Sequence, residues 1–524
     1  MIRRPGVHVV ALVALGVVLL AADAALTTLV PASLTGIILD GARCLYEGQG
    51  FVSHGATLGF LTAYRHLTLP APYLWYPFMP LVTAGLFFVA GVKPWLVLVV
   101  PVLGYLASGL ALWALGRRLF APATALLAAA VLMMQPNLID TAVEANFTDP
   151  IMLALLLGCV LAVFVARQGG SLWWVAAGGC ALGVAQYARS AGVALYVPIL
   201  FLVASAFPGR RVRAAAMLFV PCALVQVPLV LYYWRVTGSP TFMPTYLLLF
   251  LTSSFPGMAA NRLLLPPSAL AIFQQWGGEI LRKWVGQVWV HYKYFFTMTS
   301  PLVVAGAVLG VLRPARPDVV LLRNFTLVFY GWLVALNSLA IWDNRYLLPV
   351  IPFVALFGID ALRSLVAHAV TSPRARAAAA AALALLVSVE TIDFYYQAVK
   401  RRPELARRRD DKRALARFVR ASLRPDDVVL SVDVGLVAWE TRNVVVGMPL
   451  DLATAARIRA DYVPFNVALL SRSLPAAGLY NFSPEWERVV SGRQDFLGFQ
   501  KEREITLPSG EVVVLLRAPG GSRR

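Results

Sequence analysis

Trp95-Leu96-Val97-Leu98-Val99-Val100-Pro101-Val102-Leu103-Gly104-Tyr105-Leu106-Ala107-Ser108-Gly109-Leu110-Ala111-Leu112-Trp113-Ala114-Leu115 runs without a charge and closes on Gly116-Arg117-Arg118. A helix needs about 20 apolar residues to cross the hydrocarbon core of a bilayer. Paired arginines just beyond such a run mark its cytoplasmic end. The stretch therefore reads as a membrane span, and the pattern recurs at 7–30, 119–135, 150–166, 171–187, 190–207, 214–234, 296–312, 324–342, 345–362 and 377–396. The sequence thus predicts a mainly α, polytopic membrane helix bundle of about 11 transmembrane helices. The run 7–30 follows Arg3-Arg4 and reads as a retained signal anchor.

The charges agree. Of 524 residues, 59% are hydrophobic and 14% charged, with a mean hydropathy of +0.70. Residues 1–400 hold 37 of the 73 charged side chains, or 9% of that stretch, and residues 401–524 hold the other 36, or 29%. A 400-residue stretch so poor in charge cannot cover a water-soluble surface. The division predicts a membrane catalytic domain over 1–400 and a soluble domain over 401–524.

The net charge of +19 would ordinarily raise nucleic acid as a partner. Here the arginines sit in clusters between apolar runs, at 117–118, 210–213, 313–316 and 374–376, where they serve topology. No nucleic acid is expected. Of the four cysteines, Cys159, Cys180 and Cys222 lie in apolar runs and Cys44 in a loop, which gives no disulfide framework.

Placing every arginine cluster inside requires the run 77–92 to lie flat on the outer surface as an interfacial helix. With that parity the outer face receives 31–94, 136–149, the turn at Arg189, the segment 235–295, the turn at 343–345 and the C-terminal domain. Seven of the 12 acids in residues 1–400 gather there: Asp40, Glu47, Asp140, Glu144, Asp149, Glu279 and Asp343. The 235–295 segment mixes Trp276, Trp284, Trp289, Tyr292 and Tyr294 with Arg282, Lys283 and Lys293. Such residues suit the headgroup level, either as helices resting on the leaflet or as a mouth for a lipid phosphate.

Residues 401–524 read as α/β. Strand-like stretches at 428–432, 443–446 and 467–470 flank a helix-like 452–460, and 511–516 follows the turn Pro508-Ser509-Gly510 as the end of a hairpin. No glycine-rich nucleotide fingerprint is present in that region.

Loop acids offer the chemistry. Asp40, just past the first span, reads as a general base at the membrane–water boundary that removes a proton from an acceptor, or else as a solvated loop acid. Apolar surroundings would raise its pKa. Glu47 follows in the same loop as a further site acid. Asp149, in Thr148-Asp149-Pro150, is either a helix cap or a second carboxylate orienting the acceptor. Glu144 lies close by in sequence. Arg189 and Arg345 present planar forks matched to phosphate oxygens, with pairing of Arg345 to Asp343, or snorkelling, as the structural alternative. His54 and His66 lack metal-ligand spacing, so no metal is expected.

These pieces together resemble the GT-C superfamily of integral-membrane glycosyltransferases, and within it the family-39-like branch of protein O-mannosyltransferases and lipid A aminoarabinose transferases. The resemblance rests on Asp40 with Ala42-Arg43, Glu47-Gly48-Gln49-Gly50-Phe51, Leu69-Pro70 to Tyr76-Pro77, and Gly116-Arg117-Arg118-Leu119-Phe120. Thr148-Asp149-Pro150, Ala188-Arg189 with Gly192, and Arg345-Tyr346-Leu347-Leu348-Pro349 to Pro352 complete it. Gly41 stands where the mannosyltransferases carry a glutamate.

The resemblance implies a polyprenyl-phosphate-linked sugar donor and a lipid, glycan or protein acceptor at the outer face of the cytoplasmic (inner) membrane. It implies no cofactor. Asp40 and Asp149 would be the catalytic acids, and Arg189 and Arg345 would bind the donor phosphate. The competing reading is a transporter or flippase of a lipid-linked sugar. Transporters place charges near the midplane of broken helices and often carry internal repeats. In this sequence only Asp23 and Glu390 lie well inside predicted spans as acids.

Overall fold

The computed structural model describes residues 5–26, 33–56, 68–73, 77–144, 148–238, 240, 269–296, 299–339, 344–449, 451–472 and 483–519. Seven helices among these are long and apolar enough to span: Pro5–Ala25, Pro94–Leu119, Asp149–Arg167, Pro208–Thr237, Pro317–Asn337, Tyr346–Ala369 and Pro373–Ser422. The pair Pro122–Met133 and Pro136–Val143 forms an eighth, bent by 56°. The chain is a multi-pass membrane protein.

Among the described residues, each apolar run read from the sequence falls mainly on helix, but not always on one of spanning length. The run 119–135 ends where Pro136 starts a new helix, because proline has no N–H to continue the old one. The run 190–207 divides into a 3-10 turn, Ser190–Leu195, and a helix of 11 residues, Tyr196–Ala206. The run 77–92 becomes the 13-residue helix Phe78–Ala90, too short to span at 1.5 Å per residue. Its Met79, Ala84 and Phe87 pack against Ile38, Leu39 and Ala42 of the helix Ser33–Tyr46.

Small residues let the spanning helices approach closely. A Cβ on Gly179 would lie 2.0 Å from the carbonyl oxygen of Leu218, and one on Gly358 would lie 2.2 Å from that of Val303. One continuous apolar core, from Leu12 to Val387, fills the bundle.

The last helix, Pro373–Ser422, has 50 residues and begins with the Ser372 hydroxyl accepting from the Ala375 N–H at 3.1 Å. Its apolar first half is a span. Its second half carries Leu415, Ala416 and Val419 onto a sheet. Strands β1 (Val52–Ser53), β2 (Gly55–Ala56) and β3 (Ala71–Pro72) lie between the helices Ser33–Tyr46 and Phe78–Ala90. β4 (Val428–Ser431), β5 (Val444–Gly447), β6 (Val467–Ser471), β7 (Gln500–Thr506) and β8 (Val512–Arg517) come from the C-terminal region. The six-stranded sheet has the order β2-β5-β4-β6-β8-β7, parallel from β2 to β6 and antiparallel beyond.

Four of these strands and the helix Leu452–Asp461 stand where the sequence predicts them. Two were not read. β7 carries Lys501, Glu502, Arg503 and Glu504 on an exposed edge, so it shows no apolar alternation. β2 is two residues long and joins the sheet across nearly 400 residues of chain, through the pairs Gly55 to Val445 and Ala56 to Val446.

Candidate functional site

Asp40 stands on the helix Ser33–Tyr46, whose Ile37, Ile38, Leu39 and Ala42 are buried around it. Its own exposure is 0%. A buried carboxylate needs partners, and Asp40 has them on both oxygens. The Arg43 guanidinium donates to Oδ1 at 2.6 Å. The Ser53 hydroxyl donates to Oδ2 at 2.9 Å and the His54 backbone N–H at 2.6 Å. The His54 ring nitrogen Nδ1 lies 3.1 Å from Oδ1.

Burial alone would push the Asp40 carboxyl up, as the sequence leads one to expect. The bond and charge of His54, with the charge of Arg43, outweigh it and hold the group below its ordinary value. The observed environment is therefore ionic where an apolar one was anticipated.

A cysteine completes this cluster. Cys44 Sγ lies 3.5 Å from His54 Nδ1, and ligand atoms of Asp40, Cys44 and His54 all fall within 4.8 Å of one another, a set able to hold a metal ion. Burial and the Asp40 charge push the Cys44 thiol well up, so the sulfur stays protonated. A cation entering here would meet the Arg43 charge on the same carboxylate. The sequence spacing does not disclose this set.

The second acid begins the helix Asp149–Arg167, with Pro150 in its first turn. Thr148, at the N-cap position, does not cap. Its hydroxyl donates instead to the Ala188 carbonyl at 2.5 Å. Asp149 is buried and accepts a short, charge-assisted bond from Arg189. The Arg189 guanidinium also lies 5.5 Å from the centre of the Tyr346 ring, a cation–π distance.

Arg345 precedes Tyr346 in the 3-10 turn Asn344–Val350. Its side chain, like Asp343, lies outside the described residues. So do the Glu144 side chain, at the end of the helix Pro136–Glu144, and all of His66. Glu47 is occupied by Arg442 at 2.7 Å.

Both clusters border one apolar floor. Ile38, Leu39 and Ala42, which flank Asp40, share a buried cluster with Ile151 and Ala188, which neighbour Asp149 and Arg189. Acids 109 positions apart in the sequence thus meet around a common layer. The helix Ala269–Phe295 anchors through Trp284 Nε1 to the Ala335 carbonyl and Lys283 Nζ to that of Leu339, both at 2.9 Å. It leaves Trp289, Tyr292 and Tyr294 exposed.

Sequence reading missed the partners. Arg43 is i+3 from Asp40, a spacing that puts both on one helix face, and it carried that signal unassigned. Ser53 and His54 as donors, Tyr346 beneath Arg189, and Trp439 beyond Arg43 carried none.

Residues 70–234 match the family described as dolichyl-phosphate-mannose-protein mannosyltransferase. No curated protein matches the sequence. Among solved structures, ArnT from Cupriavidus metallidurans bound to undecaprenyl phosphate superposes with a TM-score of 0.60 at 14% identity, over 99% of this chain and 100% of that one. The apo oligosaccharyltransferase of Archaeoglobus fulgidus gives 0.54 at 13% identity, over 89% of this chain and 70% of that one. The same organism's AglB, in complex with an inhibitory peptide and a dolichol-phosphate, gives 0.51 at 13%, over 98% and 75%. The likeness to these structures shows the fold this chain shares with them, and the family match covers its residues 70–234.

Proposed function

We propose that the chain moves one sugar from a polyprenyl-phosphate carrier to an acceptor at the outer face of the cytoplasmic membrane. The observation that carries this reading is the pairing, on one apolar floor, of an ionised buried carboxylate with a buried arginine–aspartate pair. The first suits a base and the second an anion site. That ArnT and AglB were solved with polyprenyl-type phosphates supports the donor class.

In this mechanism the acceptor hydroxyl or amine takes the place of a neutral donor, Ser53, on Asp40. Asp40 accepts its proton as the acceptor attacks the anomeric carbon. The bond between that carbon and the phosphate oxygen breaks, and the electron pair leaves with the lipid phosphate. Arg189 and Arg345 stabilise the growing phosphate charge. Arg189 then exchanges part of its bond to Asp149 for the phosphate, and Asp149 keeps the guanidinium oriented. No nucleotide is consumed, because the lipid phosphate is the leaving group. In this reading the C-terminal sheet faces outward, and the exposed Trp289, Tyr292 and Tyr294 lie at the headgroup level beside the donor's path.

The test is a purified-enzyme assay with a polyprenyl-phosphate sugar, following glycosylated acceptor and free lipid phosphate together. Coupled appearance of both is expected. Movement of intact lipid-linked sugar across a vesicle membrane without cleavage would replace this reading by the flippase.

A further inference from the structure

Asp40 is held by two arms, and both are anchored in C-terminal residues. The first arm is Arg43. Its Nη1 donates to the Trp439 carbonyl at 2.9 Å and its Nη2 to the Ala438 carbonyl at 3.3 Å, and its guanidinium sits 4.7 Å from the centre of the Trp439 ring. Those carbonyls belong to the helix Val434–Thr441, whose C-terminal end carries the negative pole of its dipole. The second arm is the Ser53-His54 segment. The His54 carbonyl accepts from the Val445 N–H at 2.8 Å, and the next residues form β2 against β5.

The crossing between the two helices is close. A Cβ on Gly36 would lie 2.3 Å from the carbonyl carbon and oxygen of Gly435. Two glycine backbones in contact leave no room for adjustment at this point.

We infer that residues 434–447 are a positioning element of the transfer reaction, acting through Arg43 and the Ser53-His54 segment to hold the Asp40 carboxylate in its aimed position. The inference rests on the function proposed above. It gives the C-terminal region a part in catalysis beyond presenting a surface. Arg43 and Trp439 are positioning residues in this account, and Asp40 alone takes the proton.

Among the described residues, the charged and titratable groups facing Asp40 are Arg43 and Cys44 from its own helix and His54 from the β1–β2 turn. From the helix end at 440–442, Glu440 is paired with Arg420 and Arg442 with Glu47. Neither of these pairs bonds Asp40. Loosening Arg43 therefore frees the Asp40 carboxylate to turn, with nothing in these elements to take over the hold.

The experiment compares wild type, Gly36→Ala, Trp439→Ala and the control Arg420→Gln in the detergent-purified full chain. The probe is a polyprenyl-phosphate sugar, and kcat and donor KM are measured. A misplacement of about 1 Å at a reacting group costs on the order of 10²-fold. We expect Gly36→Ala and Trp439→Ala to lose kcat toward that extent, with donor KM nearly unchanged. Arg420→Gln keeps the wild-type kcat and KM.

A loss carried by donor KM with kcat unchanged, or no loss, would overturn the inference. Hydrogen–deuterium exchange over residues 53–56 supplies a readout independent of turnover, and also serves if Gly36→Ala fails to fold. Faster exchange there in Trp439→Ala is expected even if wild type transfers no sugar, an outcome that would sink only the proposed function. Unchanged exchange would overturn the positioning role.

Discussion

In the proposed transfer the chemistry turns on Asp40. If it is the base, Asp40→Asn keeps the shape and removes the proton acceptor, lowering turnover by about 10²–10⁴ with donor binding retained. Wild-type turnover in that variant would remove the role. The depressed acidity has a direction in pH. A base held below its ordinary value of 3.8 stays ionised to lower pH, so the acidic limb of kcat/KM should fall below that value. The same shift stabilises the fold. That contribution is complete above the unfolded value and is lost as pH falls through the folded one. Arg189 offers a second test. Lysine in its place keeps the charge but loses the planar fork that serves Asp149 and a phosphate together. Arg189→Lys should therefore lose turnover clearly, about tenfold or more by the worth of a bidentate charged bond, as measured at subsaturating donor. Asp40, Asp149 and Arg189 were readable because a charge beside an apolar run needs an explanation. Arg43 to Trp439 was not, because its partners lie 396 and 395 positions apart, and no local spacing encodes such a contact.

At the scale of elements, hydropathy located the helices, and prolines and glycines set their true lengths. The helix Tyr196–Ala206 is short because its run opens as the 3-10 turn Ser190–Leu195, a break that composition alone does not show. The parallel strands were readable as apolar stretches such as Val428–Leu430. The edge strand β7 was not, since neither of its faces is buried. The sheet is secured by Asp427, which is buried and accepts from Arg517 at 2.6 Å, from Asn466 at 2.9 Å and from the Arg424 N–H at 2.8 Å. Asp427→Ala takes the buried partner from the nearly buried Arg517 guanidinium and leaves it Glu502 and the Ser422 carbonyl. It should cost about 3 kcal/mol, since breaking one side of a buried pair is far dearer than losing an exposed one. Arg408→Gln, at an exposed pair with Glu404, should change stability by about 0–1 kcal/mol. Thermal unfolding of the full chain separates the two, and equal effects would contradict the assigned role of Asp427.

At the scale of the molecule, one long helix carries the chain from the membrane into the sheet, and the sheet returns to brace the first loop. Charge bias predicts that Arg213 faces the cytoplasm and Arg517 the outside. Reporter fusions after each should therefore report opposite sides, and agreement between them would sink the topology.

The most direct measurement of the central claim is the stoichiometry of lipid phosphate release by the purified chain supplied with a polyprenyl-phosphate sugar and acceptor. The account predicts one lipid phosphate freed for each sugar transferred, with both products lost together in Asp40→Asn. Sugar-lipid translocation with no phosphate released, or release undiminished in Asp40→Asn, would contradict it.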